Sequence, residues 1–160
     1  GKTTVGKIIA DDFGREFYDL DDEIEKYIGC TIAEYFKSHT EKDFRDIETQ
    51  ISKEISKKNS IVIATGGGCI LRKENVDALR MGGRLYFIDR DLKNLTPTDS
   101  RPLATKTEAI KKLYEARYNI YVSSSDVRID GNLSPKEEAD IIKSAKRIMI
   151  LGICQILIVL

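Results

Sequence analysis

Two hydrophobic rhythms run through the chain: a helical spacing of three and four residues, and short unbroken apolar runs that mark buried strands. Val5, Ile8, Ile9 and Phe13 predict a helix from the first residues to Gly14. Phe17, Tyr18, Asp19, Leu20 and Asp21 alternate like a strand, which would place Phe17, Asp19 and Asp21 on one face. A helix over 23–28 with Asp22 and Glu25 as its capping box should stop at Gly29, and Thr31 with Glu34 caps another short helix. Phe44, Ile47, Ile51 and Ile55 stripe a long helix over 41–58. Residues 60–65 form an apolar run suited to a strand covered on both faces of a parallel sheet, and it leads directly into Gly66, Gly67 and Gly68. A helix over 75–81, closed by Gly82 and Gly83, precedes a strand over 84–89. Over 90–107 the periodicity disappears into a polar, proline-containing stretch with the character of a lid. The helix from Glu108 turns Ile110, Leu113, Tyr114 and Tyr121 inward, a strand follows over 126–130, and Ser134 with Pro135 opens a last helix over 136–146.

Composition narrows the picture. With 160 residues the chain has the size of one ordinary domain, and 26 basic against 26 acidic residues give no electrostatic case for a nucleic-acid partner. Cys30, Cys69 and Cys154 are far apart, odd in number and without metal-ligand spacing, which suits free thiols in a reducing cytoplasm. No signal-peptide pattern opens the chain. The apolar run over 148–160 is too short to span a bilayer, which needs about 20 residues. No membrane partner is therefore expected.

Candidate chemistry lies at the ends of the predicted elements. Gly1, Lys2, Thr3 and Thr4 open a helix, and Gly-Lys-Thr is the back half of a phosphate loop, in which backbone N–H groups and the lysine hold phosphates while the hydroxyl reaches Mg²⁺. Asp19 and Asp21 fall at the C-terminal end of a strand, where open α/β sheets place ligands, and Asp22 is available as the helix cap. Arg45 and Glu48, three apart beside the buried stripe, are either a surface ion pair or a fork of donors with its orienting acid. Three glycines straight after a buried strand suit a backbone that touches a ligand. Arg101 in the polar stretch could carry a cation to the phosphates, and Arg117 on an apolar helical stripe reads as an anion contact. His39 has nothing nearby to orient it and reads as a solvated loop residue.

Taken together, Gly1-Lys2-Thr3, Asp19-Leu20-Asp21, Phe44-Arg45-Asp46-Ile47-Glu48, Gly66-Gly67-Gly68, Arg101-Pro102-Leu103 and Arg117 stand in the order and approximate spacing of the shikimate kinases, which the chain resembles from its first residue to about Ser144. The resemblance implies an α/β, three-layer P-loop kinase fold with a parallel sheet in the order 2-3-1-4-5. It implies transfer of the γ-phosphate of ATP to the 3-hydroxyl of shikimate with Mg²⁺, in the cytoplasm, by a monomer serving aromatic amino-acid biosynthesis. On that likeness Gly1, Lys2, Thr3 and Thr4 would hold ATP, with Lys2 acting on the phosphates, and Thr3 and Asp19 would serve the metal. Asp21 would bind shikimate hydroxyls and orient or deprotonate the attacking oxygen. Arg45 and Arg117 would grip the carboxylate, Gly66, Gly67 and Gly68 would admit the ring, and Arg101 would close with the lid onto the phosphoryl group.

The chain departs from the family pattern in three places. Arg117-Tyr118-Asn119-Ile120-Tyr121 lacks the usual proline between its arginine and tyrosine, and no second arginine between Arg90 and Arg101 offers itself to the adenine. The family's first strand and the glycine-rich front of its phosphate loop would precede Gly1. The domain is accordingly read as 1–145 with a lid over about 90–107. The apolar segment 146–160 is a candidate permuted first strand, with 148–151 expected in the centre of the sheet and the phosphate loop split between Gly152 and Gly1. A shikimate-binding fragment without kinase activity is the alternative expectation, and a kinase of another small metabolite fits the residue set less well.

Overall fold

The computed structural model describes residues 1–91, 107–147 and 155–159. In chain order they form helix α1 (Lys2–Phe13), strand β1 (Glu16–Asp19), α2 (Leu20–Ile28), the single-turn α3 (Ile32–Tyr35), α4 (Glu41–Ile55), β2 (Ile61–Ala64) and a 3-10 turn (Cys69–Leu71). There follow α5 (Lys73–Arg80), β3 (Gly83–Asp89), α6 (Thr107–Ser124), β4 (Val127–Asp130), α7 (Pro135–Arg147) and β5 (Gln155–Val159).

Local chemistry sets most of the boundaries. The Thr31 and Thr40 hydroxyls accept from the backbone N–H groups of Glu34 and Asp43, whose carboxylates return the bond, so α3 and α4 start on reciprocal caps. Ser134 and Glu137 make the same exchange at the start of α7. The helix over 41–58 stops earlier than its apolar stripe predicts, at Ile55, and Lys58 instead turns back, its N–H donating to the Ile55 carbonyl.

The largest revision to the sequence reading lies at 19–23. The strand ends at Asp19 rather than continuing to Asp21, and α2 begins at Leu20, three residues before the expected start. Its N-cap is Asp19, whose Oδ1 accepts from the Asp21 N–H at 3.1 Å, and not Asp22. Alternation along a strand therefore does not relate Asp19 to Asp21: the first ends the strand and the second occupies the first helical turn. The sequence was ambiguous because Asp19 and Asp22 are both good caps, and a cap that satisfies a free N–H sooner shortens the strand.

The sheet is parallel throughout, in the order β1-β2-β5-β3-β4. Its central position belongs to Gln155–Val159, paired with β2 on one side and β3 on the other. This corrects the expectation that 148–151 would hold that place; those residues lie outside the described ones. Both runs are apolar and rich in β-branched residues, so composition alone favours neither for a doubly covered strand.

Alternation divides the core into two layers. Ile61 and Ile63 of β2, with Leu85 and Phe87 of β3, face α2, α4, α5 and Tyr121 of α6. Val62, Tyr86 and Ile88 face the other way, against Val5 and Ile9 of α1 and Ala139 and Ile142 of α7. Asp19 pairs with Ala64 and Asp89 with Asp130, so β1 ends level with β2 and β3 with β4, while through β5 Ala64 stands level with Tyr86, three residues before the end of β3; the loops that follow all leave the C-terminal edge of the parallel sheet. Truncation of Ile63→Ala, at a fully buried position facing the larger cluster, is expected to cost about 3 kcal/mol. Urea denaturation would measure it, and a loss below about 1 kcal/mol would mean that the layer is loosely packed.

Candidate active site

The mouth of α1 opens at the C-terminal edge of the sheet. Gly1 is its N-cap, and the first turn contains no acidic side chain, so the positive end of the helix is left for another anion. Lys2 is half-exposed in that turn and Thr4 exposed beside it. The Thr3 hydroxyl donates to Asp19 Oδ2 at 2.7 Å. Asp19 thus joins α1 to the end of β1 with one oxygen while its other oxygen caps α2.

Beside this mouth, the turn after β2 passes against charged side chains. A methyl group placed on Gly66 would lie 2.7 Å from Asp21 Oδ1 and 3.6 Å from Glu48 Oε1, and one on Gly68 would collide with the Arg45 guanidinium. A bare backbone admits both neighbours where they stand, and a side chain at either position would displace the carboxylate or the guanidinium. Gly67 turns its carbonyl towards α6, where it accepts from Tyr121 Oη at 2.6 Å and, at 3.4 Å, from Arg117 Nη1. Glu115, on another face of α6, faces Lys111 at 3.9 Å and leaves Arg117 to this corner.

Arg45 and Glu48 are not a surface pair. The Arg45 side chain is 11% exposed and that of Glu48 1%, with Nη1 and Oε2 2.7 Å apart; Arg45 Nη2 also reaches Glu41 at 3.2 Å. Burial pushes the Glu48 carboxyl above its usual range, Arg45 draws it back, and Asp21 pushes it up again. Burial works against charge on Arg45 too, but Glu48 and Glu41 outweigh it and hold the guanidinium firmly protonated. Among the described residues, Arg45 Nε is buried without a hydrogen-bond partner.

Lys2, Thr3, Asp19, Asp21, Arg45, the three glycines and Arg117 therefore collect at one edge of the sheet. Arg101 and most of the expected lid fall on residues outside the described ones. His39 is exposed in its loop as expected, but neighbours do orient it: its ring stacks on Tyr35 at 3.9 Å between centroids and its Nδ1 lies 2.9 Å from Ser38 Oγ. Cys69 is buried and its thiol pushed up by burial, whereas Cys30 is half-buried; both are free. Glu48 and Tyr121 contribute more than the sequence reading gave them, and the signal was their spacing, three after Arg45 and four after Arg117.

A shikimate kinase family profile matches residues 1–148. The chain belongs to the shikimate kinase family. It is 40% identical over 146 residues to the shikimate kinase of Caldicellulosiruptor bescii, covering 87% of this chain and 84% of that one. It is likewise 40% identical to that of Thermodesulfovibrio yellowstonii, covering 92% and 90%. Among solved structures, a shikimate kinase from Acinetobacter baumannii in complex with shikimate superposes with a TM-score of 0.86 at 28% identity, over 94% of this chain and 89% of that one. The Aquifex aeolicus enzyme gives 0.79 at 31% identity, over 93% and 92%. The fold is thus that of the shikimate kinase P-loop enzymes, and the close approach of Arg45 to Gly68 is a feature of a family member.

The raised Glu48 carboxyl has a measurable consequence. The native state holds that proton more tightly than the unfolded chain, so the stability it contributes is complete below pH 4.5, the ordinary glutamate value, and is lost as pH rises through the elevated value. Between about pH 4 and pH 8, the parent chain should lose stability relative to Glu48→Gln as pH climbs. Urea denaturation of both proteins across that range would test it, and parallel curves would be incompatible with a raised carboxyl.

Proposed function

We propose that this chain phosphorylates the 3-hydroxyl of shikimate with ATP as donor. The observation that carries the reading is the convergence of Asp21, Arg45 and Arg117 on the bare Gly66–Gly68 corner beside a helix N-terminus whose own first turn has no acidic side chain. A compact hydroxylated acid suits that set: two guanidinium groups for its carboxylate, one carboxylate for its hydroxyls and an unobstructed backbone for its ring. Arg45 Nε, buried and without a hydrogen-bond partner among the described residues, is the kind of donor a ligand anion would complete. The A. baumannii relative, solved with shikimate, supports the substrate class.

In this reading the α1 N–H groups and Lys2 bind the phosphates, with Gly1, Thr3 and Thr4 lining the same mouth. The hydroxyl of Thr3 and the carboxylate of Asp19, 2.7 Å apart, are hard oxygen donors of the kind Mg²⁺ takes alongside water and phosphate oxygens. Once bound there, Mg²⁺ would neutralise charge between the phosphates. Asp21 orients the attacking hydroxyl and accepts its proton, while Glu48 keeps Arg45 directed at the carboxylate. Phosphoryl transfer depends mainly on positioning and on cations around the moving group, and Arg101 enters on the family likeness as one such cation. No helix among the described residues is long and apolar enough to cross a membrane. The family likeness favours a monomer working in the cytoplasm.

Separate calorimetric titrations with shikimate and with MgATP test the reading, followed by a coupled assay for ADP. The parent chain should bind both. Arg117→Ala should weaken shikimate roughly ten- to a hundredfold and leave ATP nearly unchanged, as expected for a lost charge-assisted contact. Asp21→Asn should lower kcat by about 10²-fold or more, and Arg101→Ala should do so by a comparable factor. A chain that takes shikimate but shows no ATP binding would retain only the substrate half of the proposal.

A further inference from the structure

Arg117 can serve an anionic substrate only if α6 is held at one height and one rotation. The inner stripe of that helix is fastened at two places. Towards its C-terminal half, Tyr121 donates to the Gly67 carbonyl at 2.6 Å and stacks on Phe87 with ring centroids 5.2 Å apart. Towards its N-terminal half, Tyr114 Oη donates to Asp89 Oδ1 at 2.7 Å, and Tyr118 Oη lies 3.5 Å from Asp89 Oδ2.

Asp89 is the last residue of β3 and only 8% exposed. Such a carboxylate is costly unless its oxygens are paired. Arg128 of the neighbouring strand supplies the charge, with Nη2 2.6 Å from Oδ2 and the guanidinium 5.8 Å from the Tyr118 ring centre. Both tyrosines come from one helix, one turn apart, and Arg117 lies between Tyr114 and Tyr121 on the same side. Burial and the bond to Asp89 push the Tyr114 phenol up, so it remains a donor across the neutral range. Turning or sliding α6 far enough to move Arg117 would break the short Tyr114 bond, and a rigid helix passes that constraint along its length.

We propose that Asp89, Tyr114 and Arg128 form a positioning clasp that sets α6, and through it Arg117, over the Gly67 corner, and so tunes affinity for the anionic substrate. The inference rests on the reading of Arg117 as the carboxylate-binding group. Asp89, Tyr114 and Arg128 act through Arg117.

The test uses the full chain and follows KM for shikimate, KM for ATP and kcat. Tyr114→Phe should raise the shikimate KM about fivefold, the effect of one hydrogen bond to a charged group. The ATP KM and kcat should stay within about twofold. In an Arg117→Ala background, followed through kcat/KM, the same substitution should change shikimate use by less than about twofold, because its effect has lost the side chain it works through. Asp89→Asn keeps one acceptor oxygen, which can still take the Tyr114 bond, and should retain more of the affinity than Asp89→Leu, which should match or exceed Tyr114→Phe. If Asp89→Leu does not fold, Tyr114→Phe and Tyr118→Phe decide the matter. An equal loss in both Arg117 backgrounds, a matching rise in the ATP KM, or no change at all would overturn the clasp while leaving the assignment of Arg117 intact. A parent chain that fails to bind shikimate in the calorimetric titration would remove that assignment and the clasp together.

Discussion

Keeping Arg45 and Glu48 paired out of water is the constraint on which the site depends. Neither charge is tolerable alone at that depth, and the pair is held within a single turn of α4, so its separation of 2.7 Å is fixed by helix geometry rather than by the tertiary fold. What the fold supplies is the cover. The turn after β2 crosses this pair and Asp21 without a side chain at the crossing points. The bare turn, the buried pair and the acid of α2 are thus one arrangement, in which each part leaves room for the next.

The parallel sheet explains why the arrangement lies where it does. Strands buried on both faces leave their polar chemistry to the loops at their ends, and the parallel direction of every strand brings Asp19, the glycine turn and Asp89 to the same C-terminal edge. The two core layers have different tasks there. One packs α1 and positions its N-terminus; the other packs α2, α4 and α6 and positions the side chains facing the glycines. Thr3 and Asp19 connect the two across the end of β1.

Much of this was legible in the chain. The stripe of α4, the doubly buried run of β2 and the caps of α3 and α7 follow from spacing and local hydrogen bonding, which sequence encodes directly. The candidate site was legible because Gly-Lys-Thr, Asp19 and the three glycines sit at element ends, while Arg45 and Arg117 are cations beside or on apolar helical stripes. Three things were not. The start of α2 depended on which of two competent caps, Asp19 or Asp22, engaged first. The occupant of the central strand depended on a choice between two similar apolar runs. The burial of Arg45 and Glu48, and the role of Asp89 as a partner for α6, are long-range facts, since an aspartate ending a strand looks the same whether it meets solvent or two tyrosines.

The glycine turn has a consequence for variation in this protein. Its first and third positions border groups of opposite sign, a carboxylate at Gly66 and a guanidinium at Gly68, only two residues apart. The smallest possible addition at one would press on the acid, and at the other on the base. Under the proposed substrate reading, these two codons, with one between them, would act separately on recognition of hydroxyls and recognition of the acid group, and a lineage drifting towards a different polyol or a neutral sugar would leave its trace there before it touched the charges themselves.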